Sequence, residues 1–168
     1  YPADMGVIVA LLMNHVRLAP GQALFVPPRQ PHVYLGGVGV ELLANSDNVL
    51  RAGLTPKHVD VGELLSVAAF EAARPTVLGP VDRDDGAVDY PAPTPEFLLS
   101  RYTVDGDQAV LPAEGPQLLL CLDGEVTLRG DTELRLRCGG AVFAGHGGPP
   151  LSLAGSGIVY RATTNPRI

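Results

Sequence analysis

Hydrophobic and polar positions alternate with period two over most of the second half of the chain. Phe97–Val104 (FLLSRYTV), 117–130 (QLLLCLDGEVTLRG), 132–145 (TELRLRCGGAVFAG) and 157–163 (GIVYRAT) each predict a strand, and Leu122-Asp123-Gly124-Glu125 predicts a tight Asp-Gly turn within the second. The first half is less regular. Asp4 is placed to cap a short helix through Val7, Val9, Leu11 and Leu12, ending before Arg17. The segments HVRL and ALFVP read as strands about the turn Ala19-Pro20-Gly21-Gln22. Residues 59–70 carry a helical or mixed pattern. Residues 71–95, with five prolines and the acidic stretch VDRDDGAVDYPAP, read as an extended connecting segment.

Between these lies the stretch 27–60. Its segments PHVYL and VGVELL flank Gly36-Gly37, a two-residue hairpin signal. With Leu35 and Val38 beside the turn, His32 lies opposite Glu41, and directly opposed residues have β-carbons about 4.5 to 5.5 Å apart. Tyr34 shares their face, while Val33, Leu35, Val38 and Val40 point the other way. Asn45-Ser46-Asp47-Asn48 then opens a loop that carries Arg51 and Lys57, the chain's only lysine. Two cations beside a histidine and carboxylates suit an anionic, oxygen-rich ligand such as a sugar phosphate.

Composition narrows the classes further. The 168 residues are 46% hydrophobic, enough for a sizeable core in one domain or two small ones. With 20 Gly, 16 Pro and no Trp among short valine and leucine runs, they favour a turn-rich β architecture. A formal charge of -6 offers no basic field, which argues against nucleic acid or a membrane surface as partner. The apolar run Met5–Met13 is too short to span a bilayer, so a cytoplasmic location is expected. Cys121 and Cys138 lack CxxC spacing and read as buried small hydrophobes. His15, His58 and His146 read as surface or structural residues, and Asp82-Arg83-Asp84-Asp85 as a solvated charge run.

The run PHVYLGGVGVELLANSDNVLRAGLTPKHVDVGELL resembles the signature region of the type I phosphomannose (mannose-6-phosphate) isomerase family, and the preceding YPADMGVIVALLMNHVRLAPGQALFVPP resembles the segment before it. The resemblance implies a mainly β fold of the cupin (jelly-roll) type. Residues 1–70 would be the C-terminal part of a catalytic cupin barrel, and 96–168 a second cupin-like β domain without metal ligands, serving packing and shape. It implies a Zn2+ enzyme interconverting mannose 6-phosphate and fructose 6-phosphate, with zinc acting as Lewis acid on the sugar oxygens. Position by position, it implies His32 as a zinc ligand, Glu41 as an active-site carboxylate in proton transfer, and Asp47 and Arg51 as catalytic residues lining the sugar. Lys57 and Tyr34 would contact the substrate.

The family's three other zinc ligands, a Gln, a His and a Glu, have no counterpart here, and one ligand cannot hold zinc tightly, since catalytic sites ordinarily need about three. The chain is therefore expected to be the C-terminal part of a longer enzyme, inactive alone, with the upstream part of its own catalytic domain as partner. The open barrel edge is expected to cause self-association. Two alternatives stand beside this: a non-catalytic sugar-binding or structural cupin module, and a different metal-dependent cupin enzyme. Glu41 is open to two roles, catalytic base or the group that orients the His32 ring.

Overall fold

The computed structural model describes every residue except Pro2, Asp47, Asn48, Ala73, Ala113, Glu114, Arg167 and Ile168; for Asp107 and Gln108 it describes the backbone alone. The chain divides into two compact units, Tyr1–Glu41 with Asn45–Val77, and Leu42–Ala44 with Leu78–Ile168.

The first unit is held together largely by side chains that bond to backbone. Helix α1 spans Gly6–Leu12 and its cap residue Met5 makes no side-chain capping bond. Asp4, one residue earlier, takes that role: its carboxylate accepts the N–H of Gly6 at 2.7 Å and that of Leu54 at 2.8 Å. One aspartate thus ties the start of the helix to the 51–57 loop. Strand β1 is Ala23–Phe25, and the expected strand at HVRL is absent, residues 15–18 being irregular. The turn between them forms as expected. Gln22 N–H donates to the Ala19 carbonyl at 3.0 Å, the Gln22 side chain accepts from Ala19 N–H at 2.8 Å, and Gly21 has φ 84°, the angle a type II turn requires at that position.

Helix α2, Val61–Val67, starts where Asp60 accepts the N–H of Glu63 at 2.9 Å, an N-cap with an acid in the first turn. Its last carbonyls meet Arg29: the Arg29 Nε–H donates to Val67 O at 2.6 Å, and Ala69 N–H donates back to Arg29 O at 2.9 Å. Strand β2, Thr76–Leu78, pairs with β1 in a two-stranded sheet.

The expected hairpin at 31–42 is not a ladder. No strand is present between Phe25 and α2 among the described residues. Gly37 does take φ 108°, as a turn needs, but Val33, Leu35 and Val38 are exposed, the last at 96%. An isolated two-stranded hairpin is marginal in water unless one face is covered, and alternation alone supplied the pattern without the cover.

The second unit is built the opposite way. Strands β3 (Val81–Asp82), β4 (Val88–Tyr90), β5 (Leu98–Leu111), β6 (Gln117–Arg129), β7 (Glu133–Arg137), β8 (Ala141–Ala144) and β9 (Leu151–Thr163) form one antiparallel sheet. Its order is β3-β4-β5-β9-β6-β7, with β8 also pairing β6. The last strand is inserted between β5 and β6, closing the chain onto its own middle. Tyr102, Val104 and Leu111 of β5, Leu119, Cys121, Val126 and Leu128 of β6, and Leu153 and Val159 of β9 make a continuous buried cluster. Each such aliphatic side chain contributes roughly 1.5 to 3 kcal/mol by leaving water.

The expected Asp-Gly turn is a correction. Residues 123–124 lie inside β6, which stays paired to β9 on both sides of them, with a register shift between Cys121 and Asp123. Gly124 (φ 72°) faces Gly157, and Gly155 (φ 116°) faces Gly106 (φ 82°), so a glycine seam crosses β6, β9 and β5. A β-carbon on Gly155 would come within 2.7 Å of Glu125 O, and one on Gly124 or Gly157 would collide with the carbonyls of Ser156 or Asp123. This is a bulged bend, where a positive φ serves the same end as in a turn. Opposite it, the single strand expected over 132–145 is split into β7 and β8 by Cys138-Gly139-Gly140, where Gly139 N–H donates to Cys121 O at 2.8 Å. Cys121 is buried as expected; Cys138 is exposed, and both are free thiols.

The 71–95 stretch carries β2, β3 and β4, and its charge run is not merely solvated. Arg83 pairs with Asp85 at 2.8 Å and with Asp89, a fully buried carboxylate, at 3.4 Å. With 37% strand and 9% helix the chain is mainly β, as the cupin-type expectation requires.

Candidate active site

The elements that place the expected site residues are loops tethered at a few points. The segment carrying His32 leaves Arg29, whose guanidinium and carbonyl are pinned to the end of α2 and whose φ of 70° turns the chain. One residue on, the Gln30 carbonyl lies 3.3 Å from His32 Nδ1. In the tautomer protonated at Nδ1 that nitrogen donates to the carbonyl, which leaves the Nε2 lone pair facing outward as a ligand would require.

His32, Tyr34 and Glu41 come together, though not by the expected opposition. The Tyr34 ring meets the His32 ring edge-on at 5.9 Å, and its hydroxyl donates to Glu41 Oε1 at 2.6 Å. Tyr34 therefore bridges the other two. Partial desolvation, then the hydrogen bond and charge of Glu41, push the Tyr34 hydroxyl up to about 12. At neutral pH it stays a donor. Glu41 Oε1 is engaged by Tyr34, and its Oε2 has no hydrogen-bond partner among the described residues.

Arg51 and Lys57 are exposed, and neither joins His32, Tyr34 or Glu41 by a hydrogen bond or ion pair among the described residues. Their loop is shaped by Gly53 (φ 144°) and Leu54 (φ 54°), and Lys57 N–H donates to Thr55 Oγ1 at 3.2 Å. Asp47 lies outside the described residues. His15, His58 and His146 are exposed.

Two positioning residues escaped the sequence reading. Asp4 was expected only to cap a helix, and its second oxygen anchors Leu54 in the cation loop. Arg29 anchors the histidine segment. Neither carries a local pattern, because each bonds to backbone 38 or more positions away.

Among the described residues no three or more His, Cys, Asp or Glu side chains come together as a metal site, so the donor set present here does not fit zinc by itself. No helix among them is long and apolar enough to cross a membrane.

In fold, the chain is of the cupin (jelly-roll) class. No protein-family model matches it. It is, however, 38% identical over 164 residues to the mannose-6-phosphate isomerase of Escherichia coli strain K12, an alignment covering 96% of this chain and 42% of that protein. It is 38% identical over 146 residues to mannose-6-phosphate isomerase 2 of Arabidopsis thaliana, covering 85% of this chain and 33% of that one. The crystal structure of the apo form of mannose 6-phosphate isomerase from Salmonella typhimurium superposes with a TM-score of 0.77 at 30% identity, over 98% of this chain and 43% of that chain. The chain is thus a homologue of mannose-6-phosphate isomerase, and it spans less than half the length of these relatives.

Proposed function

We propose that the chain forms part of an aldose–ketose isomerase that interconverts mannose 6-phosphate and fructose 6-phosphate. The observation that carries this reading is the 2.6 Å bond from the Tyr34 hydroxyl to Glu41, set beside the His32 ring in a chain homologous to these isomerases. Isomerisation moves a proton between carbon 2 and carbon 1 of the open-chain sugar through an enediol. That needs one base able to reach both carbons and a charge to hold the developing oxyanion.

Glu41 is the base in this reading. The alternative, that Glu41 orients the His32 ring, is less well supported because the Gln30 carbonyl sits at Nδ1 while Glu41 is engaged by Tyr34. A neutral Tyr34 keeps one carboxylate oxygen fixed, so the open oxygen can take the carbon 2 proton and return it to carbon 1. Arg51, with its planar fork, is assigned to the enediolate or the phosphate, Lys57 to the phosphate and Asp47 to the sugar hydroxyls. His32 is assigned as one zinc ligand, the others lying on segments this chain does not carry.

In the full-length protein, Glu41→Gln is expected to lower turnover of mannose 6-phosphate by about 10²- to 10⁴-fold. Near-normal rates would remove Glu41 from the role. A second reading, a sugar-binding module without chemistry of its own, draws on the absence of a three-ligand cluster among the described residues. Calorimetric binding of mannose 6-phosphate to the full-length protein with no turnover would favour it.

A further inference from the structure

The inner face of the second unit is apolar except at one end. There Asp89 of β4 faces Ser100 of β5, Ser100 faces Arg161 of β9, and in the next row Thr163 of β9 faces Gln117 of β6. All five are buried, Arg161 to 2% exposure.

The direct bonding in this end is uneven. Asp89 accepts the Ser100 hydroxyl at 2.6 Å and Arg83 at 3.4 Å, and Asp85 takes two further N–H groups of Arg83 at 2.8 and 3.0 Å. Among the described residues the hydrogen-bond partners of Arg161 are neutral: its Nε–H donates to Gln117 Oε1 at 2.6 Å and one terminal N–H to Pro112 O at 3.3 Å. No carboxylate pairs with it among the described residues. A guanidinium carries five N–H donors and keeps its charge in proteins; here two of them go to neutral oxygens, while Asp89 and Asp85 act on the charge through space without bonding to it among the described residues. Burial pulls the Arg161 guanidinium below its ordinary range; Tyr102, Asp89 and Asp85 oppose that shift, and the nearby charge of Arg83 adds to it.

Arg161 and Arg83 both line a cavity of about 290 Å³, together with Thr163, Thr164, Leu98 and Pro112. No carboxylate lines it among the described residues. That volume far exceeds the roughly 30 Å³ share of one water and sits at the small end of ligand pockets, which start at about 300 Å³. We propose that this end of the second unit binds a small oxyanion, a phosphate or carboxylate group on a molecule of few heavy atoms, with Arg161 as the principal donor and Arg83 and Thr164 completing the shell, the Thr163 hydroxyl being donated to Pro116 O.

This second site is separate from the His32 cluster and does not rest on the isomerase reading. The test is hydrogen exchange by mass spectrometry on the full chain, titrated with inorganic phosphate and, in parallel, with succinate, at ionic strength held constant with chloride. Saturable protection is expected in peptides covering residues 109–118 and 158–166. A response to phosphate alone assigns a phosphate ligand, and a response to succinate alone a carboxylate. Arg161→Gln is expected to weaken the response at least tenfold. Thr164 is exposed, so Thr164→Asp tests the same point in a variant that keeps the buried network, and it is expected to abolish binding by placing a like charge at the mouth. The proposal is overturned if neither anion gives saturable protection there, or if Thr164→Asp binds as the parent does.

Discussion

The two units of this chain solve the same problem, holding a polypeptide in one shape, by different means. The second uses long paired strands over a dry cluster, and several of its side chains, Leu119, Val126 and Val159 among them, have no measurable exposure. The first uses two seven-residue helices, one three-residue strand pair, and polar clamps at Asp4, Arg29 and Asp60. The candidate site residues His32, Tyr34, Glu41, Arg51 and Lys57 sit in the first unit. Reactive groups there are free to be exposed, because their placement depends on hydrogen bonds to backbone and not on burial of their own surface.

If this contrast is right, the two units differ most in their tolerance of added volume. Gly157→Val is expected to cost the second unit more than about 4 kcal/mol, the range reserved for backbone collision and strain. Gly36→Ala, with open space around it, should stay within about 0.5 kcal/mol. Urea denaturation of both variants makes the comparison, and equal effects would break it. Loss of volume gives the next largest difference. Leu119→Ala removes a fully buried side chain and is expected to cost about 2 to 5 kcal/mol, whereas Leu35→Ala, at 73% exposure, should change the same midpoint little.

The clamps give smaller effects. Asp4→Ala removes the acceptor of two backbone N–H groups and is expected to cost about 1 to 2 kcal/mol. Hydrogen exchange should then speed up at Gly6 and Leu54 with no change in the β5–β9–β6 strands. Smallest is the effect of Glu41→Gln on Tyr34. The hydroxyl is expected to titrate at about 12 and to fall part of the way towards its ordinary 10 in the variant, since desolvation is the larger cause and remains. Any stability this bond contributes is present below pH 10 and is lost as the pH rises through about 12. The difference in tyrosinate absorbance between the parent and Tyr34→Phe reads it.

The second unit was largely legible from alternation, because a strand buried on one face writes its register into every second residue. Its misreadings are instructive. Asp123-Gly124 carries the chemistry of a turn, and a bulge inside a continuous strand asks for the same positive φ, so the dipeptide does not distinguish them. Arg83 looked solvated because its partner Asp89 lies six positions on, past a turn. In the first unit the candidate site residues were read from one string, and the expected His32–Glu41 opposition was not realised, since the hairpin forms no ladder and Tyr34 bonds Glu41 instead. The strand expected at HVRL failed for want of a partner, which no local window reveals. The clamps at Asp4 and Arg29 were out of reach for a simpler reason: they act on distant backbone, whose identity the side chain does not encode.

The glycine seam through Gly106, Gly124, Gly155 and Gly157 has a consequence for how this protein can vary. At Gly124 and Gly157 the obstacle is a main-chain carbonyl, which no change of neighbouring side chain can remove. These sites therefore accept an alphabet of one letter, and polar, apolar and charged replacements should fail alike. A mutational scan would show them as columns intolerant of every substitution, in a region with no chemistry to lose. Such columns would mark the places where the sheet's bend is written as missing atoms.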